Sequence, residues 1–159
     1  MGVALYRVDD RLVHGQVVIG WGRPLGVRFI ALVDPAVRAS SWEQDLYRMA
    51  VPDGVEVFFA DVAEAITLLP EWEADRRAGV VITGDLETMA ALYTARPDLV
   101  NRINLGGIHH RADRTERLRY LYLAPEEEAL LRRLDAAGAE LSAQDLPTTP
   151  AVPLDEILP

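Results

Sequence analysis

The sequence predicts an α/β doubly wound domain, with a mostly parallel, open twisted sheet and helices on both faces. Short apolar runs with little alternation recur along the chain, as strands buried on both faces require. Segments of helical periodicity separate them, the order that βα units produce. The 159 residues are 50% apolar and 26% charged, which suffices for one sizeable core and argues against disorder.

Val3 to Val8 reads as the first strand. Gln16 to Leu25 reads as a short helix whose apolar face carries Val17, Val18 and Trp21. Val27 to Val33 is a nearly continuous apolar strand ending at Asp34-Pro35, and a helix follows from about Ser41 to Ala50. Val55 to Ala60 and Val80 to Thr83 repeat the strand signal, with helices over Val62 to Leu69 and Leu86 to Thr94. Ile103 to Leu105 reads as a brief strand stopped by Gly106-Gly107. Leu118 to Leu123 reads as another, with Arg117 and Arg119 facing away from Leu118, Tyr120 and Tyr122. Pro125 opens a helix whose first turn holds Glu126, Glu127 and Glu128, where carboxylates suit the helix dipole, and Gly138 closes it. Ala139 to Ala143 is a last short strand. From about residue 145, Pro147, Pro150, Pro153 and Pro159 forbid long regular structure and leave an extended strap ending in a short apolar turn. Trp21, Trp42 and Trp72 read as core or partly buried anchors.

Composition removes several chemistries. Without cysteine there are no disulfides, thiolate zinc sites or cysteine nucleophiles, and all 16 basic residues are arginine, which removes Schiff-base chemistry and a Walker-type lysine. A formal charge of -9 opposes general affinity for nucleic acid or anionic membrane. No signal peptide or membrane-length apolar run is visible, so a cytoplasmic protein without direct membrane insertion is expected. Neither Gly-x-Gly-x-x-Gly, nor a Walker loop, nor a Gly-x-Ser-x-Gly elbow occurs.

In doubly wound folds ligands bind beyond the carboxyl ends of the strands. The first loop there, Asp9 to Gly15, carries Arg11, whose planar fork suits phosphoryl oxygens, and His14, whose neutral imidazole can attack phosphorus. His14 stands before a helix N-terminus, Gly15 allows close backbone approach, and Asp9 or Asp10 can orient the ring. On the same edge lies Gly106-Gly107-Ile108-His109-His110-Arg111, whose glycines can form an anion-binding nest and whose arginines, with Arg114, Arg117 and Arg119, form a basic island. Arg117 and Arg119 fit exposed strand positions better than a site. A zinc site built from His14, His109 and His110 lacks the spacing of a ligand motif, so no metal and no cofactor are expected.

The run Tyr6-Arg7-Val8-Asp9-Asp10-Arg11-Leu12-Val13-His14-Gly15-Gln16-Val17-Val18 resembles the N-terminal signature of the EIIB components of the mannose/fructose/sorbose family of the bacterial sugar phosphotransferase system. The likeness continues through Val33-Asp34, Met49 to Val55, Ile103 to His109 with Arg111, Gly138 to Leu141 and Val152-Pro153-Leu154, and so spans nearly the whole chain in order. It implies one EIIB-like phosphocarrier domain over 1–159, free-standing rather than fused to an EIIA domain, and a protein-Nπ-phosphohistidine:sugar phosphotransferase activity. His14 matches the family's phosphorylated histidine, through Nδ1, and Arg11 its loop arginine, which stabilises the phosphoryl group. Asp10, Gly15, Gly106, Gly107 and Arg111 are the candidate binding or orienting residues, with Asp9, His109 and His110 beside them. Implied partners are phosphorylated EIIA and the membrane components EIIC and EIID with bound sugar, which would hold the protein at the inner face of the membrane. Ile108 stands where many members carry methionine, and His110 where the family usually has an aromatic residue. The alternatives are an EIIB-like regulatory or anion-binding module without transport activity, and a histidine phosphatase, a family that places arginine directly before His-Gly where this chain has Val13.

Overall fold

The computed structural model describes residues 2–159. Its main sheet has seven strands in the order β3-β2-β4-β1-β5-β8-β9. The strands are β1 (Gly2–Asp9), β2 (Val27–Val33), β3 (Glu56–Ala60), β4 (Ala78–Thr83), β5 (Arg102–Gly107), β8 (Glu140–Ala143) and β9 (Val152–Pro153). All pair in parallel except β9, which runs antiparallel to β8. A separate hairpin joins β6 (Thr115–Leu118) to β7 (Leu121–Leu123).

The central strands β2, β4 and β5 are almost wholly buried, as a parallel sheet covered on both faces requires, and the two cores show it. On one face Tyr6, Val8, Phe29, Ala31 and Val81 pack against α4 (Val62–Ala74), α5 (Leu86–Ala95) and α6 (Pro125–Ala136). On the other face Ile30, Leu32, Val80 and Ile82 pack against Val17, Val18 and Val37. Those last residues belong to a π-helical turn (Gln16–Trp21), which runs into α1 (Gly22–Leu25), and to α2 (Pro35–Arg38). Helix α3 (Ser41–Ala50) flanks β3, and α7 (Leu154–Ile157) closes the chain.

The differences from the sequence reading have local causes. The predicted helix over Gln16 to Leu25 is π-helical in its first six residues. Helix α2 is additional, nucleated by Asp34, whose carboxylate accepts the Val37 N–H at 3.0 Å, with Pro35 in the first turn. Helix α4 runs through Pro70 to Ala74 because Leu69 and Trp72 are buried on either side of the proline, which faces solvent. The single strand expected over Leu118 to Leu123 is instead the β6–β7 hairpin, turning at Arg119-Tyr120, a pair without the usual glycine or asparagine signal. β5 takes in Gly106 and Gly107 and ends at the second of them, two residues later than expected. Trp42 is no anchor: it is 65% exposed and forms, with Leu46 and Met49, an outward apolar stripe on α3. The strap becomes β9 and α7, and α7 buries Leu154 and Ile157.

This topology fixes where the site must be. The chain passes from one side of β1 to the other between β4 and β5, which makes the carboxyl end of β1 a switch point. The loops after β1 and β5 meet there: the Asp10 N–H donates to the Gly107 carbonyl at 3.0 Å.

Candidate active site

Alternation along β1 turns Tyr6 and Val8 toward the three-helix core and puts Arg7 and Asp9 on the other face. Both charged side chains are fully buried there, paired at 3.0 Å. Arg7 lies opposite Asn104 in the parallel register, and its guanidinium donates to Asn104 Oδ1 at 2.8 Å and to the carbonyls of Gln144 and Asp145 at 3.1 and 3.2 Å. Only Nε lacks a partner. The Trp21 ring covers the group at 5.5 Å, and its indole N–H also donates to Asp145. Gly106 is required by this arrangement, since a Cβ there would lie 2.0 Å from Arg7 Cζ.

Asp9 is the hub. Its Oδ2 takes the Arg7 bond and lies 3.0 Å from His14 Nε2. Its Oδ1 accepts the Arg11 backbone N–H at 3.0 Å, while the Arg11 guanidinium makes longer contacts of 3.4 Å to both oxygens. Burial alone would push the Asp9 carboxyl up. The His14 hydrogen bond, the Arg7 charge and the Arg11 N–H outweigh it and hold Asp9 at about 2. Burial pushes the Arg7 guanidinium down, and Asp9 pulls it back.

An ionised carboxylate can only accept, so the proton between Asp9 and His14 sits on Nε2. Nδ1 of His14 is therefore the atom with a free lone pair. The ring is 19% exposed, enough to be reached from outside. Beside it, Arg11 is partly exposed, with its remaining contact a 2.7 Å bond to Gln16 Oε1. The loop reaches this shape through Leu12, which adopts a left-handed backbone at φ 58°. Its side chain is buried in the second core, and its N–H donates to the Asp9 carbonyl at 2.9 Å.

The loop after β5 is fixed just as firmly. Asp10 accepts the His109 backbone N–H at 2.7 Å and faces its Nδ1 at 2.6 Å. Arg114 holds the His109 carbonyl at 2.8 Å while forking onto nearly buried Glu127 at 2.9 and 3.0 Å. Glu127 is thus more than a helix N-terminal charge. His110 turns away and meets the Tyr122 ring edge-on at 5.7 Å.

The structure brings Asp9, Asp10, Arg11, His14, Gly107 and His109 together. Gly15 has helical dihedrals and open space around it. Arg111 forks onto Asp113 at 3.0 Å and makes no hydrogen bond to the His14 loop, and Arg117 pairs with Glu128. The basic island is therefore largely neutralised. Sequence reasoning passed over Arg7 as a functional residue. Its signal was an arginine inside an otherwise buried strand, two residues from an aspartate and so on the same face.

The sequence matches the family described as PTS system sorbose subfamily IIB component over residues 3–159. The chain belongs to this family. With it comes a phosphotransfer role in a sugar phosphotransferase system. The chain is 28% identical to the N-acetylgalactosamine-specific phosphotransferase enzyme IIB component 2 of Escherichia coli, over 98% of each chain. It is 27% identical to the sorbose-specific EIIB component of Lacticaseibacillus casei, over 95% of this chain and 92% of that one. Among solved structures, the IIBSor domain of the sorbose permease from Klebsiella pneumoniae superposes with a TM-score of 0.87 at 24% identity, covering 99% and 96% of the two chains. That likeness concerns the fold. Among the described residues no helix of this EIIB-family chain is long and apolar enough to cross a membrane.

Proposed function

We propose that this protein carries a phosphoryl group on His14 Nδ1, receiving it from a phosphohistidine on an EIIA partner and passing it to a sugar presented by EIIC and EIID. One observation carries the reading: buried, ionised Asp9 holds His14 by Nε2, which leaves Nδ1 as the nucleophile.

Attack by Nδ1 on the donor phosphohistidine exchanges one N–P bond for another. Such a transfer needs positioning and charge stabilisation more than covalent machinery. Arg11 supplies the charge. Its 3.4 Å contacts to Asp9 are long and solvent-facing, so it can leave Asp9 for the phosphoryl oxygens at little cost. Arg7 cannot leave, and it keeps Asp9 neutralised when Arg11 moves. The amides of Gly15 and Gln16 open the helical segment beside His14, with open space at Gly15 for the oxygens. Arg111 would have to give up Asp113 to take part. The whole of 1–159 acts as one phosphocarrier unit in this reading, held at the membrane only through its partners.

Incubation with phosphorylated EIIA should label wild-type protein, and His14→Ala should abolish labelling, with the linkage at Nδ1 by phosphorus and nitrogen NMR. Inverted membrane vesicles carrying EIIC and EIID, with mannose, sorbose and N-acetylgalactosamine as a panel, should then yield a sugar phosphate. Labelling that survives the substitution overturns the site. Release of inorganic phosphate without sugar phosphate indicates a phosphatase, and no labelling at all indicates a binding module.

A further inference from the structure

The site holds a second imidazole with a carboxylate of its own. Asp10 faces His109 Nδ1 at 2.6 Å, and because an ionised carboxylate only accepts, Nδ1 carries the proton and Nε2 keeps a free lone pair. Nε2 has no hydrogen-bond partner among the described residues, and the side chain is 42% exposed. Both sides of the His109 backbone are pinned, the N–H by Asp10 and the carbonyl by Arg114, so the ring has little freedom to drift. Its position relative to Asp9, the carboxylate that holds His14, follows from Gly107. A Cβ position there lies 3.2 Å from His109 Cε1 and 3.0 Å from Asp9 Oδ1, so those two atoms are no more than about 6 Å apart across the glycine. The charged groups around the ring are Asp10 from the β1 loop, Asp9 behind Gly107, and Arg114 on its carbonyl.

Building on the phosphocarrier reading above, we propose that His109 is the general base of the sugar half-reaction, with Asp10 as its positioning residue. The two half-reactions differ in proton demand. Transfer between histidines moves no net proton, whereas transfer to a hydroxyl must release one. In that second step the P–Nδ1 bond of phosphorylated His14 breaks and its electron pair stays on Nδ1. A P–O bond forms to the sugar hydroxyl oxygen, which keeps the O–H electron pair, and the hydroxyl proton passes to His109 Nε2. The resulting imidazolium is stabilised by Asp10 and later loses the proton to water. Asp9 cannot serve as the base, because Arg7, Arg11 and His14 already occupy its oxygens. Asp10 is occupied by His109 itself. His14 Nδ1 holds the phosphoryl group and His110 turns away against Tyr122, so the vacant Nε2 of His109 is the base that lies beside Asp9 across Gly107.

A single-turnover experiment separates the half-reactions. Radiolabelled phospho-protein is prepared with EIIA, then chased with the same vesicles and sugar panel. His109→Gln should slow the chase on the order of a hundredfold, at least tenfold more than it slows labelling, and Asp10→Asn should follow the same order with a smaller loss. Free imidazole added to His109→Ala should restore the chase, an effect no merely structural role would produce. Equal slowing of both half-reactions, or an unaffected chase, overturns the proposal. A wild type that labels at His14 but phosphorylates no sugar overturns the sugar step on which the inference rests, and that failure is visible without any variant.

Discussion

Replacing Asp9 by asparagine tests the hub of the site with little change of shape. The folded carboxyl sits at about 2 against an ordinary 3.8. At ~1.36 kcal/mol per unit, that depression is worth about 2.5 kcal/mol of stability at neutral pH. The variant also strands Arg7 as a buried charge without its counter-ion, and breaking such pairs costs ~3–5 kcal/mol. These are two measures of one interaction and do not add, so the expected loss in urea unfolding is between about 2.5 and 5 kcal/mol. The pH dependence carries a definite sign. A depressed carboxyl contributes stability that is fully present above 3.8 and lost as the pH falls through about 2. Wild type and variant should therefore differ by a constant amount down to mildly acidic pH and converge toward 2, where the protonated wild-type acid resembles the amide. Nitrogen NMR should show the His14 proton confined to Nε2 in the wild type and shared between both nitrogens in the variant, with slower phosphorylation. A variant within about 1 kcal/mol of wild type at neutral pH, or a difference that persists unchanged to the lowest pH, would refute the assigned role of the Arg7–Asp9–His14 chain.

Gly106→Ala should destabilise by ~3–5 kcal/mol in equilibrium unfolding, because its Cβ meets Arg7 Cζ at 2.0 Å and neither the central strand nor the buried guanidinium can retreat. Leu12→Gly sets two effects against each other: relief of a left-handed leucine returns ~1–2 kcal/mol, while loss of a buried leucine costs ~2–5 kcal/mol. Net destabilisation is expected, and a more stable variant in thermal unfolding would contradict it. Trp42→Ser should change stability by no more than about 0.5 kcal/mol in the same assay, since the ring is mostly exposed on α3.

The fold was legible because its parallel strands must be apolar on both faces. Val27–Val33 and the helix Ser41–Ala50 appear in the structure with the bounds read from sequence. What stayed hidden depends on contacts distant in sequence. The hairpin turn at Arg119-Tyr120 carries no turn residue of its own, and it is fastened by Ile108, whose N–H donates to the Tyr120 carbonyl at 2.9 Å and whose carbonyl accepts from Tyr122 at 2.8 Å. The same holds in the site. His14 and Arg11 stood out as local chemistry. Arg7 went unassigned because, apart from Asp9, its acceptors Asn104, Gln144 and Asp145 lie about a hundred residues or more away. Arg111 read as an anion ligand because its partner Asp113, two residues on, could equally have pointed elsewhere.

Adjacent aspartates at the end of β1 explain how one short sequence serves two loops. Asp9 continues the strand's alternation and points to the face where Arg7 is buried, so it can be neutralised from below and still hold His14 from the side. Asp10 has left the strand, and its side chain reaches the loop after β5. Each carboxylate fixes a histidine by a different nitrogen: Asp9 takes Nε2 of His14, and Asp10 takes Nδ1 of His109. The two rings therefore present opposite free atoms, Nδ1 on one and Nε2 on the other. Holding His14 by Nδ1 and His109 by Nε2 instead would put the protons on the opposite nitrogens and remove the free lone pair from His14 Nδ1. The order of attachment, rather than the presence of two histidines, sets the chemistry this edge of the sheet can perform.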